Sequence, residues 1–195
     1  MKFFLFAFFL LLFTNLSYGQ LDKGVFLVGG TGNLLSSKYE YTSTTLSFSS
    51  DRLNIGVAPN IGYFVADKLA LGLRLNYSKN KEKVNGTGSG IFTNVNRYSV
   101  GPSLRYYFLD KESRYNLLTE INYQYGLYRF RTTKGNSNTF NASVGPVIYL
   151  NTSVGLEFLV GYYSTTETIK QTDAITTKQN GFQLGIGFQI HLEKN

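Results

Sequence analysis

A chain of 195 residues, 43% of them hydrophobic, accommodates one domain with a core and excludes two large ones. The absence of cysteine excludes disulfide stapling, thiolate metal sites and a lipid anchor on an N-terminal cysteine. Lys and Arg outnumber Asp and Glu by 19 to 12, yet no block of like charge exists, so anionic headgroups suit this excess better than nucleic acid does.

The first element is an export signal over residues 1–19. Lys2 supplies the positive start and Phe3–Phe13 is an unbroken apolar run, too short to span a bilayer as a helix. Ser17-Tyr18-Gly19 places small residues at a cleavage site, so the mature domain is expected over residues 20–195. Lys23–Gly30 then reads as a first strand whose facing is ambiguous, because Val25 to Val28 are all apolar. Thr31–Asp51, rich in Ser, Thr and Tyr, is either a long loop or strand extensions standing clear of a membrane.

Ala58–Leu75 organises the rest of the chain. Val57, Pro59, Ile61, Tyr63 and Val65 alternate with Ala58, Asn60 and Gly62; Ala66-Asp67-Lys68 turns the chain; Leu69, Leu71, Leu73 and Leu75 alternate with Ala70, Gly72, Arg74 and Asn76. Period-two alternation makes this a hairpin with one apolar and one polar side, its strands near 53–65 and 69–77. The polar, Gly-rich Asn80–Gly90 reads as a loop. Strand four, near 95–109, alternates Tyr98, Val100, Pro102, Leu104, Tyr106 and Phe108 with Arg97, Ser99, Gly101, Ser103 and Arg105.

Strand five, near 115–130, sets Leu117, Ile121, Tyr123, Tyr125 and Leu127 against Asn116, Glu120, Asn122, Gln124 and Gly126. After a loop at 132–137, strands six (139–150) and seven (153–163) form another hairpin. A Thr-rich loop at 165–178 leads to strand eight, 181–192, where Phe182, Leu184, Ile186, Phe188, Ile190 and Leu192 alternate with Gly, Gln and His191. The three prolines, Pro59, Pro102 and Pro146, are spaced 43 and 44 residues apart and start three similar hairpins, the mark of a repeated supersecondary unit.

Eight strands of bilayer-crossing length, joined alternately by short turns and longer loops, make an all-β fold: an antiparallel up-and-down transmembrane barrel. Alternation alone permits the inverse facing, a secreted lipocalin-like carrier with an apolar pocket. Small residues on the polar face, Tyr at the ends of apolar runs and charge confined to the polar face all favour lipid outside. A closed barrel satisfies every backbone group in hydrocarbon. Proline removes a ladder donor, so local bulges are expected at Pro59, Pro102 and Pro146.

The phrase Pro59–Leu73 (PNIGYFVADKLALGL), the Gly-Pro hairpins and the terminal GFQLGIGFQIHL resemble the small outer-membrane barrels of the Bacteroidetes type, similar in architecture to OmpA/OmpX-type barrels. That resemblance implies a Gram-negative cell outer membrane, with its lipids and the barrel assembly machinery as partners. It implies no particular activity. The tail departs from the aromatic ending of many such barrels, since Glu193-Lys194-Asn195 follow Leu192.

Arg74, Arg105, Glu120 and Glu157 all fall on the polar face and are the candidate lumen ion-pair network, either a structural plug or the gate of a narrow porin-like pore. His191, the only histidine, lies far from any G-x-S-x-G pattern and reads as an interior polar residue. No catalytic, cofactor or metal site is expected. A lipid-modifying membrane enzyme would need Ser, Thr or Asp from Thr31–Asp51 or Thr165–Asp173, where no base is evident. The expected role is therefore structural, or surface interaction through the long loops.

Overall fold

The computed structural model describes residues 21–42, 47–86, 88–130, 133–169 and 175–192. The expected signal segment and Asp173 lie outside them. Eight strands follow one another: β1 (Phe26–Thr42), β2 (Ser47–Ala66), β3 (Leu69–Gly86), β4 (Gly88–Tyr107), β5 (Tyr115–Phe130), β6 (Thr133–Tyr149), β7 (Val154–Ile169) and β8 (Ile175–Leu192). Each pairs antiparallel with its sequence neighbours, and β1 pairs with β8 to close the barrel.

The apolar side of the alternation faces outward. Ile61, Leu71, Leu73, Leu75, Ile121, Val144 and Val160 are exposed around the circumference. Tyr77, Tyr98, Tyr125 and Tyr162 ring one edge of this belt; Phe26, Tyr63, Tyr106 and Tyr115 ring the other. Along β5 the belt runs from Tyr115 to Tyr125, about 25 Å for a tilted strand, the height of a hydrocarbon band. A lipocalin-like carrier needs the opposite facing, so the geometry overturns that alternative. The ambiguous first strand is also resolved: Phe26 and Val28 point out while Leu27 is buried inside.

We call the end where β1 starts, β8 ends and Asp67-Lys68 turns the chain the foot, and the opposite end the crown. The foot holds an apolar core of Leu21, Val25, Leu27, Phe64, Tyr107, Leu118 and Tyr149. Leu21, with no exposed surface, acts as a stopper there. Its carbonyl accepts from the Lys68 N–H at 2.8 Å, and the Gly24 N–H donates to the Phe64 carbonyl at 2.9 Å.

Two expectations are corrected at the crown and along the ladder. The polar segments 80–90, 132–137 and 165–178 are not long loops: β3 runs to Gly86 and β4 starts at Gly88, β6 starts at Thr133, and β7 and β8 reach Ile169 and Ile175. Polar composition suits a strand that stands in water with partners on both sides, so pairing overrides the weak β-propensity of Asn, Lys and Gly there. The ends of the barrel therefore differ in strand overhang rather than in loop length.

The prolines, likewise, lie inside even-numbered strands instead of starting hairpins, and none makes a bulge. Val57↔Tyr77 is followed by Asn60↔Arg74, Val100↔Tyr125 by Ser103↔Asn122, and Val144↔Val160 by Val147↔Glu157. Register is unchanged across each gap; two rungs are simply missing where proline has no N–H to give. On its other side each proline stays in register, Pro59 with Gly30, Pro102 with Leu73 and Pro146 with Leu117. The register shifts that do occur lie at Phe64/Ala66 and Val84/Gly86, next to turns.

Candidate functional site

The lumen is built from the alternate residues of every strand. Arg105 on β4 stands directly opposite Glu120 on β5 in the ladder, and Glu157 reaches in from β7. The Arg105 Nε donates to Glu120 Oε2 at 2.7 Å, while its Nη1 and Nη2 donate to the two Glu157 oxygens at 2.9 Å each. This end-on fork of two parallel bonds is the bidentate geometry that makes guanidinium–carboxylate pairs strong. Arg74 on β3 donates through Nη1 to Glu120 Oε1 at 2.9 Å and through Nη2 to the Thr31 hydroxyl on β1. The structure thus brings all four candidate charges into one cluster, two cations against two anions.

Neutral groups extend it. Asn122 donates to Glu120 Oε1 at 2.9 Å, and Asn141 on β6 donates to Asn122 Oδ1 at 2.9 Å. Gln189 on β8 is placed by its neighbours: with its nitrogen donating to Asn60 Oδ1 on β2 at 3.1 Å, its oxygen accepts from Arg105 Nη1 at 3.1 Å. Through Thr31, Asn60, Arg74, Arg105, Glu120, Asn141, Glu157 and Gln189 the network touches all eight strands. Glu120, Glu157 and Arg105 are buried, so their desolvation is offset only while every member keeps its partners.

A second pair lies nearer the crown, where Arg97 Nε donates to Glu167 Oε1 across the barrel at 2.7 Å. Sequence reasoning missed Glu167 because it fell inside an expected loop. The signal was present: the odd positions of β7 put Glu157, Gly161, Tyr163, Thr165 and Glu167 on one face, with Leu159 as its one apolar member.

His191 is buried at the foot among Phe64, Tyr107 and Tyr149, with ring centroids 5.8, 6.3 and 5.7 Å away. Those three neighbours are aromatic rings. Among the described residues no group of three or more His, Cys, Asp or Glu is placed to hold a metal ion.

At the foot surface, Asp67 accepts from the Lys23 N–H at 3.0 Å, and Lys111 Nζ lies 2.6 Å from Asp22 and 3.7 Å from Asp67. The Lys23 N–H, aided by Lys111, holds the Asp67 carboxyl below its ordinary 3.8. Hydrogen bonding to Asp22 raises Lys111 above its ordinary 10.5. The Asp67 contribution is therefore fully present above pH 3.8 and lost as pH falls through its lower folded midpoint; that of Lys111 is present below pH 10.5 and lost as pH rises through its higher one. An NMR titration is expected to place the Asp67 midpoint below 3.8, and Lys23→Pro, which deletes the donor, to move it back further than Lys111→Met does.

Comparison with solved structures follows the same architecture. The outer membrane protein OprG from Pseudomonas aeruginosa is similar over 90% of this chain and 99% of its own, at 16% identity and a TM-score of 0.59. The fold is that of the small outer-membrane β-barrels. Neisserial surface protein A is 18% identical over 85% of this chain and 96% of its own, with a TM-score of 0.45. No protein-family model and no curated protein sequence matches the chain.

Proposed function

We propose that this chain is an integral protein of a bacterial outer membrane with a closed lumen, whose role is structural or surface interaction rather than catalysis or open diffusion. One observation carries the reading: an apolar belt faces outward while a satisfied polar network ties all eight strands together within. A belt of that height and polarity calls for lipid, and the similar architecture of OprG names the membrane that such barrels occupy. The interaction surface is the crown, where β2, β3 and β4 overhang the belt as paired strands. Lys79, Lys81 and Lys83 on β3 add positive charge there, suited to anionic headgroups or an acidic partner.

A narrow gated pore is the second reading, favoured by the charged character of the network. Against it stand the Leu21 stopper and the neutral balance of the cluster, which gives an ion no unpaired site. Barrels this small are filled by their own side chains.

Two measurements test the proposal. On a detergent gel the membrane-extracted protein is expected to migrate differently unboiled and boiled, as a closed barrel does. Reconstituted in planar bilayers it is expected to be silent. Recovery from the soluble exported fraction without a heat shift would remove the membrane reading, whereas steady single-channel steps would replace the plug with the pore.

A further inference from the structure

The outer face of β3 changes chemistry in one step where it leaves the belt. Leu71, Leu73, Leu75 and Tyr77 point outward in succession, and the same parity then brings Lys79, Lys81 and Lys83 to the surface. On a tilted strand each outward position climbs about 5 Å along the membrane normal. Lys79 therefore stands in the headgroup layer beside the Tyr77 edge, and Lys81 lies just above it, where a flexible ammonium reaches down. The cationic run is local. On β7 and β8 the outward positions above Tyr162 and Phe182 carry Ser164, Thr166 and Asn180, with Lys178 the single cation among the described residues there.

The flanking strands show which lysines lack an anion. Asp51 on β2 faces Lys83 across the ladder, so Lys83 has a carboxylate beside it. Lys79 faces Ile55 on β2 and Asn96 on β4; Lys81 faces Leu53 and Asn94. Among the described residues neither makes an ion pair. Two like charges on one face about 7 Å apart repel, and an anion between them relieves the repulsion. The Tyr77 hydroxyl donates to Asn96 Oδ1 at 3.4 Å, which leaves the amide nitrogen to donate beside Lys79. The β2 side is apolar instead. Ile55, 45% exposed, rises above Val57, the partner of Tyr77 at the edge of the belt. A soluble anion gives no reason for exposed aliphatic side chains at that height. A lipid does, with its headgroup against the lysines and its glycerol esters against Ile55 and Leu53.

We propose that Lys79 and Lys81 hold the headgroup of one anionic lipid in the crown-side leaflet, and that the headgroup carries a phosphate monoester. Asn94 and Asn96 donate to its remaining oxygens. Two ammonium groups match the charge of about −1.5 to −2 on a monoester, whereas a diester supplies only one. Hydrogen bonds between such charged groups are the strong ones, so the lipid occupies a fixed place against β2, β3 and β4. The proposal rests on the membrane placement proposed above and names a partner for the crown.

Native mass spectrometry of the folded barrel tests it by counting retained lipids. The protein is released from phosphatidylcholine vesicles holding equal fractions of phosphatidic acid, the monoester probe, and phosphatidylglycerol, a diester with matched acyl chains. The heat-shift gel is run first on every variant, so a failure of the membrane reading registers there and not in the lipid count. The wild-type chain is expected to retain phosphatidic acid over phosphatidylglycerol about fivefold. K79Q/K81Q is expected to lose that preference, K178Q to keep it, and excess inorganic phosphate to leave the lipid in place. Equal retention of the two lipids by the wild type would overturn the proposal in favour of an acidic soluble partner. Displacement by inorganic phosphate would overturn it in favour of a free anion. An unchanged preference in K79Q/K81Q, or an equal loss in K178Q, would overturn the assignment to these two lysines.

Discussion

Glu120→Ala is expected to be the most damaging single substitution in the lumen. It removes partners from both Arg105 and Arg74 and leaves the Asn122 amide without its carboxylate. Breaking a buried pair by deleting one partner typically costs about 3–5 kcal/mol, because the remaining charge stays desolvated and unpaired. Urea unfolding of the detergent-folded barrel should show this as a lowered midpoint with an unchanged slope. Glu157→Ala strips Arg105 of its bidentate partner and should fall in the same range. The discriminating variant is R105M/E157L, which replaces the pair by apolar groups of similar size. If the network is a structural plug, this double variant should recover most of the loss, since an apolar substitute for a buried pair is often neutral. A conducting double variant of full stability would instead assign gating to the pair.

The second large effect is expected at the glycines that precede two of the prolines. A Cβ at Gly101 would lie 1.8 Å from the Tyr123 carbonyl oxygen, and one at Gly145 would lie 1.8 Å from that of Phe158. Both contacts are to backbone, which cannot swing aside as a side chain can. They occur where β4–β5 and β6–β7 lose two rungs, so the neighbouring strand leans over the glycine where the ladder is interrupted. Gly101→Ala and Gly145→Ala should each destabilise by about 1–3 kcal/mol, the usual cost of overpacking. Gly185→Ala, at an open position, should stay within about 0.5 kcal/mol. The same urea titrations measure all three, and equal behaviour of Gly101 and Gly185 variants would show that the gaps relax at no cost.

Much of the fold is readable in the sequence for a simple reason. A membrane barrel wall has period two on every strand, and lipid tolerates no charge at mid-belt, so Leu69–Leu75 or Phe182–Leu192 can be aligned by eye. The four network charges are readable by the same parity, since a charge on the inner face of a narrow barrel has few places to go. Legibility fails where the membrane ends. In water both faces of a strand tolerate polar residues, and Asn80–Gly86 or Thr165–Ile169 then look like loops although they are paired. The proline gaps were unreadable for another reason: whether a missing donor produces a bulge or an interruption depends on the facing strand, which parity does not describe. Thr31, Asn60 and Gln189 joined the network unannounced, because nothing in an uncharged side chain on a polar face distinguishes a network member from a filler.

The polar network also has a consequence for the order in which the barrel forms. Its partners come from all eight strands, and the ladder that closes the barrel around it joins Phe26 to Leu192, far apart in the chain. A partly assembled sheet therefore holds Arg105 and its carboxylates with some of their partners missing, and gains their stabilisation only when the last strand arrives. Long sequence separation makes that step slow, because the closure entropy must be met before the contacts form. Incomplete sheets are thus poor resting states, and folding should run as one concerted transition in which a half-built barrel is the least populated species.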